Sequence, residues 1–269
     1  MALITYRDIV RTLREMGFNQ GSNVIAHVSL AALEPGSVRG GTETVLGALL
    51  ASCGTVVMPA FTPQTLVWPE SGPPDNGCTY GDHAEENARA VMFSPDLPVD
   101  ADLGQAAERF RRHTRARRRD HPAWSFAAVG AHAQEIVAAQ SLDSPLGPVE
   151  WLYDRRGDVL LMAMDHRHNT AIHLAEKFAG RKQFVRWAVG VERAYRLPDL
   201  PGCSNGFNAI ASKLAWITHQ TAIGTLAFQR IPIIHLVEVT VQAIQEDPYA
   251  LLCSDHKCER CNAVRQAAV

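Results

Sequence analysis

The sequence lacks several features that would have settled its class at once. None of its apolar runs approaches the roughly 20 residues that a bilayer-spanning helix requires. The N-terminus has no signal-peptide pattern. Arg7, Asp8, Arg11, Arg14 and Glu15 alternate with Ile4, Ile9, Val10 and Leu13, the spacing of an amphipathic helix over residues 1–18, so a cytoplasmic location is the expectation. No internal repeat, low-complexity tract or linker interrupts the 269 residues. One domain is therefore expected over residues 1–269, with a cysteine-rich tail from about residue 250. Charge of one sign is also missing: the net value of −2 speaks against a general nucleic-acid binder, and neither nucleic acid nor membrane is expected as a partner. Cysteine is sparse. Six in a chain of this length, without a secretory signal, read as reduced thiols and not as a disulfide framework.

What is present is the composition of a folded core, with 46% hydrophobic residues. Residues 23–30 read as a strand entering a loop that Gly36, Gly40 and Gly41 loosen. A capped amphipathic helix at 42–50 and a second strand at 54–61, stopped by Pro59 and Pro63, follow. That order predicts an α/β fold whose central mixed, largely parallel sheet is flanked by helices. Residues 62–104, rich in proline, glycine and acids, read as a long functional loop with a short helix near 83–91. Further helices are expected at 104–112, 132–140, 150–155, 207–216 and 232–246, and a hairpin about Gly190 at 183–195.

Although the net charge is small, the charges are segregated. Glu70, Asp75, Asp82, Glu85, Glu86, Asp96, Asp100 and Asp102 face one opposing base, Arg89. The next segment reverses sign, with Arg109, Arg111, Arg112, Arg115, Arg117, Arg118 and Arg119. Singly, such groups are usually solvated. As blocks they suggest two ligands of opposite charge, a polycation and a phosphate-bearing molecule.

The most informative stretch runs from Asp158 to Glu176. Residues 159–164 are a continuous apolar run of strand length, the pattern of a strand covered on both faces. Asn169 or Thr170 then supplies an N-cap oxygen for a helix that Gly180 stops. His173 lies on the first turns, where the positive end of the helix dipole disfavours imidazolium. Glu176, three residues on, shares its face and can orient the ring. A neutral, oriented imidazole at the carboxyl end of a buried strand is a candidate proton acceptor.

Three motifs in order point to a family. His27-Val-Ser-Leu with Gly40-Gly41, the Arg-Arg-x-Asp-His-Pro-x-x-Ser-Phe-Ala-Ala-x-Gly run from Arg117 to Gly130, and Asn169-Thr-x-x-His-Leu-Ala-Glu together resemble the aminoglycoside 3-N-acetyltransferases. Ser144-Pro-Leu-Gly and Leu152-Tyr fall between them in the matching order. The resemblance implies an antibiotic N-acetyltransferase fold in place of the common GNAT acetyltransferase fold, whose Arg/Gln-x-x-Gly-x-Gly/Ala signature is not found. It implies transfer of acetyl from acetyl-CoA to the 3-amino group of an aminoglycoside, which confers resistance. The chain departs from the pattern at Arg167, where many members carry an aspartate, and at Val28, where a second serine is usual.

On that reading His173 is the general base of a direct transfer and Glu176 fixes its tautomer. Thr170 and Asn169 either polarise the thioester oxygen or simply cap the helix. Ser29, Arg39, Gly40 and Gly41 are candidates for acetyl-CoA contact, because glycine lets backbone amides approach phosphates at a helix start. Arg118, Asp120, His121, Ser125 and Phe126 form a second candidate patch, the arginine for the nucleotide phosphate and the serine for pantetheine amides, although Phe126 also suits the core. His121, before Pro122, reads as structural. Asp75, Asp82, Glu85 and Glu86, with Tyr80 and Trp68 as walls, are candidates for the polycationic substrate, and Glu192 is a further one. Cys253-x4-Cys258-x2-Cys261, with His256 inside, offers four donors in nine residues. A second C-x-x-C is absent, and a reduced, metal-free tail is preferred over a structural zinc. Two rival readings stay open: acetylation of a different amine on the same scaffold, and a zinc-tailed binding protein without catalysis. The oligomeric state is not legible.

Overall fold

The computed structural model describes residues 3–268. The amphipathic N-terminal stretch forms α1 (Tyr6–Glu15), started by a reciprocal capping box between Thr5 and Asp8. Met1 and Ala2 of the expected helix lie outside the described residues. There follow β1 (Asn23–Val28), α2 (Gly41–Ser52), β2 (Thr55–Pro59), β3 (Leu66–Val67), α3 (Ala84–Ala88) and α4 (Gly104–Arg111). The middle of the chain adds β4 (Arg117–Arg118), β5 (Phe126–Gly130), α5 (Ala133–Ala138), α6 (Gly147–Asp154), β6 (Asp158–Met162) and α7 (Ala171–Phe178). The last third supplies β7 (Phe184–Ala188), β8 (Tyr195–Leu200), α8 (Ala211–Leu214), β9 (His219–Ile223), β10 (Leu226–Pro232), α9 (Ile233–Glu246) and α10 (Glu259–Ala267).

Seven strands form one sheet in the order β4-β5-β2-β1-β6-β10-β9. The sheet is mixed, as expected, but its parallel part is confined to the centre, where β1 pairs with β2 and β6. Both flanks are antiparallel. They are built from two strand pairs, β4–β5 and β9–β10, that need no helical crossover. The β9–β10 hairpin, turning through Gly224 at φ 58°, occupies a stretch where the sequence reading predicts no element. Conversely, the helix expected at 207–216 opens as a 3-10 turn over Phe207–Ile210 before α8.

Period-two alternation places the central strands between two helical layers. Val24, Ala26, Val56, Met58, Leu160 and Met162 pack toward α1, α2 and α4. Ile25, Val57, Val159 and Leu161 pack toward α5, α6, α7 and α9. Burial on both faces is why these strands read as unbroken apolar runs. A second, antiparallel sheet, β3-β7-β8, carries the expected hairpin and extends it to Leu200. Phe184 on β7 packs on Ala263 and Val264, docking α10 there. No helix of the described residues is long and apolar enough to cross a membrane.

Candidate active site

The site is assembled at the carboxyl end of β6. Beyond Met162, Asp165 caps a 3-10 turn over His166–His168 by accepting the Arg167 N–H at 3.1 Å. The Asn169 side chain then accepts the Ala171 N–H at 3.2 Å and starts α7. Asn169, not Thr170, is therefore the capping side chain, and the Thr170 hydroxyl makes no cap bond. One turn in, His173 Nδ1 meets a Glu176 carboxylate oxygen at 2.7 Å, both side chains about 95% buried with 6% and 5% exposure.

The end of α7 supplies a residue that the sequence reading missed. Gly180 adopts a left-handed φ of 76° after the helix. Its N–H reaches the Lys177 carbonyl and the Arg181 N–H reaches the Glu176 carbonyl, the two bonds of a Schellman motif. That turn brings Arg181 back onto Glu176, whose second carboxylate oxygen accepts from Arg181 Nη1 at 2.9 Å. Arg181 also donates to the carbonyls of Pro248 and Ala250. The glycine stop was visible in the sequence; that it folds the next side chain back onto the helix was the available signal.

With Nδ1 engaged by Glu176, the other ring nitrogen, Nε2, is left to a cavity of about 410 Å³ that His173 lines together with Asn169 and Thr170. Phe61 and Trp124 stack at 3.9 Å to form one wall, and Trp124 and Phe207 both set ring edges against the imidazole. The carboxylates that line the cavity are Asp100 and Asp102, while Arg167, Arg186 and Arg260 bring positive charge to it. Asp165 holds Arg167 at 2.8 Å. Burial would raise the Asp165 carboxyl, but hydrogen bonds from Arg167 and Asn208 outweigh it and hold the group below the usual carboxylate range. His27, also on the cavity wall, is pushed down to about 3 by burial, with the nearby His168 charge adding to the effect.

The remaining expected site residues fall elsewhere. Gly40 and Gly41 do open α2, Gly40 left-handed at φ 76°, but they line a separate, shallow depression beside Glu34, Glu43 and Arg109. Arg39 is exposed, and the Ser29 hydroxyl accepts the Ala31 N–H. Arg118 is directed inward: its guanidinium donates to Ser125 Oγ and to the carbonyls of Ala60, Pro95 and Leu97. Ser125 and Phe126 are fully buried, and Ser125 Oγ is hydrogen-bonded to Ala60. Ser125 and Phe126 are thus core structure, and four hydrogen bonds to protein oxygens hold the Arg118 guanidinium. Within the wider arginine block, Arg109 pairs with Glu43, and Arg111 and Arg112 with Glu108.

Asp75, Asp82, Glu85 and Glu86 are exposed and not among the residues lining the His173 cavity. Tyr80 is tied into its own loop, accepting from Asn76 and donating to the Pro73 carbonyl. Trp68 is bonded through its backbone to the Asn87 side chain, and Glu192 is exposed. The carboxylates that do reach the cavity, Asp100 and Asp102, belong to the acidic block but carry no distinguishing sequence signal. In the tail, Cys203 joins Cys253, Cys258 and Cys261, whereas the expected donor His256 is exposed and outside the cluster.

Comparison with known proteins follows the same lines. A sequence profile described as aminoglycoside 3-N-acetyltransferase matches residues 25–245. The SPbeta prophage-derived aminoglycoside N(3')-acetyltransferase-like protein YokD of Bacillus subtilis (strain 168) is 33% identical over 178 residues, 64% of this chain and 64% of that protein. Aminoglycoside N(3)-acetyltransferase IX of Micromonospora chalcea is 32% identical over 195 residues, 68% of this chain and 66% of its own length. The match thus spans just under two thirds of each of these relatives. A crystal structure of AAC(3)-IVa in complex with gentamicin superposes with a TM-score of 0.74 at 23% identity, over 99% of this chain and 98% of that one. AAC-IIIb in a binary complex with CoASH gives 0.73 at 18% identity, over 91% and 97%. Those two similarities establish the fold, which is of this type and not GNAT. With the profile covering most of its length, the chain belongs to the aminoglycoside 3-N-acetyltransferase family.

Proposed function

We propose that this protein transfers the acetyl group of acetyl-CoA to the 3-amino group of an aminoglycoside, by direct attack with His173 as general base. The observation that carries the reading is the imidazole itself: Nδ1 fixed by Glu176 and Nε2 left to a cavity with aromatic walls and two carboxylates. The support from outside is family membership and the gentamicin and CoASH found with proteins of the same fold.

In the proposed reaction, Nε2 accepts a proton from the substrate ammonium. The freed amine lone pair attacks the thioester carbonyl, forming a C–N bond and a tetrahedral oxyanion. Collapse of that intermediate breaks the C–S bond, the CoA thiolate leaves with the proton returned by the imidazolium, and the freed imidazole takes the second proton from the new amide nitrogen and releases it to solvent. Glu176 offsets the charge on the ring while it holds the proton, and Arg181 keeps Glu176 in place. The Thr170 hydroxyl, on the cavity wall without a cap bond, is the side chain we assign to the oxyanion. Asp100 and Asp102 attract the polycation.

The test is thiol release from acetyl-CoA with a panel of aminoglycosides and unrelated amines. Turnover with the aminoglycosides, with acetylation mapped to the 3-amino group, is the expected result. Turnover confined to other amines would replace the substrate assignment, and CoA binding without any turnover would replace the enzymatic one.

A further inference from the structure

Four thiols from two distant parts of the chain meet in one cluster, of which Cys203 lines the cavity. Cys203 comes from the segment after β8, Cys253 from the segment after α9, and Cys258 and Cys261 from the start of α10. Their sulfur atoms all lie within 4.8 Å of one another, and all four residues are free thiols. We infer that Cys203, Cys253, Cys258 and Cys261 form a structural zinc site of the four-cysteine type.

The donor set fits the ion. Four sulfurs at the usual Zn–S length of about 2.3 Å stand ~3.8 Å apart at the corners of a tetrahedron, within the span seen here. Cys258 is the N-cap of α10 and Cys261 lies in its first turn, so both thiolates sit at the positive end of that helix. Two backbone amides already point at sulfur: Asn205 N–H donates to Cys203 and Cys253 N–H donates to Cys261, each at 3.4 Å. Such amides orient the lone pairs of metal-bound thiolates. Positive charge is at hand to offset four thiolates on one dication. Arg260 donates to the Gly202 carbonyl and Arg265 to the Cys253 carbonyl, one residue from and at two of the ligand positions. Three of the four cysteines are buried, and they pack chiefly on each other.

The sequence spacing points to His256 as the fourth donor, and the structure replaces it. His256 sits on an exposed turn in which Asp255 accepts the Lys257 N–H, while Cys203 arrives from the other sheet. With four protein ligands the ion has no open position, so its role is to staple. What it staples borders the active site. Cys203 and its neighbours Gly202, Ser204 and Asn205 line the His173 cavity. The segment leading to Cys253 provides the Pro248 and Ala250 carbonyls that hold Arg181 behind Glu176.

The experiment is elemental analysis of the full chain, purified without metal-affinity resin or chelator. One zinc per chain is expected, released by p-hydroxymercuribenzoate into a chromogenic zinc chelator. X-ray absorption should report four sulfur neighbours at about 2.3 Å. Cys203→Ser should lose the zinc, while His256→Ala and Cys78→Ser, outside the cluster, should retain it. If Cys203→Ser does not fold, the absorption spectrum and the two retaining variants decide. A nitrogen in the coordination shell, or zinc loss in His256→Ala, would overturn the assignment. So would a chain that takes up no added zinc ion, or alkylation and mass spectrometry showing the four thiols paired as disulfides.

Discussion

Two buried histidines, His173 and His121, have similar exposure (5% and 1%) and opposite surroundings. His121 Nδ1 accepts the Trp124 N–H at 2.9 Å, and its Nε2 is buried without a partner. Burial pushes it down to about 4, so it stays neutral and closed off from any substrate. His173 is equally removed from bulk water, but a carboxylate holds one nitrogen and a cavity receives the other. Burial alone therefore makes an inert spacer. Burial with an anionic anchor and an opening is the arrangement that the proposed general base requires.

The largest effect should separate these two rings. His173→Ala is expected to lower kcat by about 100- to 10,000-fold in acetyl-CoA thiol release, with CoA affinity unchanged. His121→Asn, whose side-chain oxygen can still accept the Trp124 N–H, should leave kcat within a few-fold. Equal losses in both would erase the distinction, and a small loss in His173→Ala would move the base elsewhere.

The next effect falls on the anchor. Glu176 and Arg181 form a buried pair, their side chains 5% and 3% exposed. Removing one partner strands the other charge in the interior, which typically costs about 3–5 kcal/mol. Arg181→Met should lower unfolding stability by that amount in denaturant titration and reduce kcat, because Glu176 loses its hold. Stability equal to wild type would mean that Glu176 is held without Arg181.

How much of this could be read beforehand depended on whether a contact was local. The His173–Glu176 pair was legible because three residues on a helix fix their own geometry, and the Asn169 cap for the same reason. The three parallel strands announced themselves by being apolar on both faces. Arg118 misled for the converse reason. A cluster of arginines suggests phosphate, yet this one is held by Ser125 across the β4–β5 pair and by the Ala60 carbonyl, which reaches it from a distant stretch of chain. The same blindness hid Cys203 and left Asp100 and Asp102 indistinguishable from their acidic neighbours. A ledge of carboxylates on an exposed helix and a pair in a cavity have the same composition.

Acidification should expose the cost of burying His27 and His121 as neutral rings. His27 and His121 titrate near the ordinary 6.5 when unfolded but at about 3 and about 4 when folded. The unfolded chain thus binds more protons between those values, and stability present above pH 6.5 drains away as pH falls toward 4. Each group contributes at most about 1.4 kcal/mol per pH unit across its window. In a series of urea titrations, His121→Asn should flatten that slope by roughly half. An unchanged slope would mean that His121 is already charged in the fold.

The smallest predicted effect concerns carboxylates, and it extends the comparison from rings to acids. Asp100 and Asp102 line the cavity, Asp102 from an exposed position, whereas Glu85 and Glu86 are exposed on α3 and do not line it. A partly screened charge pair is worth about 0.5–1 kcal/mol, so Asp100→Asn or Asp102→Asn should raise KM for a polycationic acceptor roughly two- to five-fold. Since those carboxylates do not touch the reacting atoms in the proposed reaction, kcat should hold, and the KM difference should shrink as salt is added. Glu85→Gln and Glu86→Gln should change neither constant. If the exposed pair moved KM more than the cavity pair, the substrate would have to enter across α3, and the cavity acids would serve only to build their own turn.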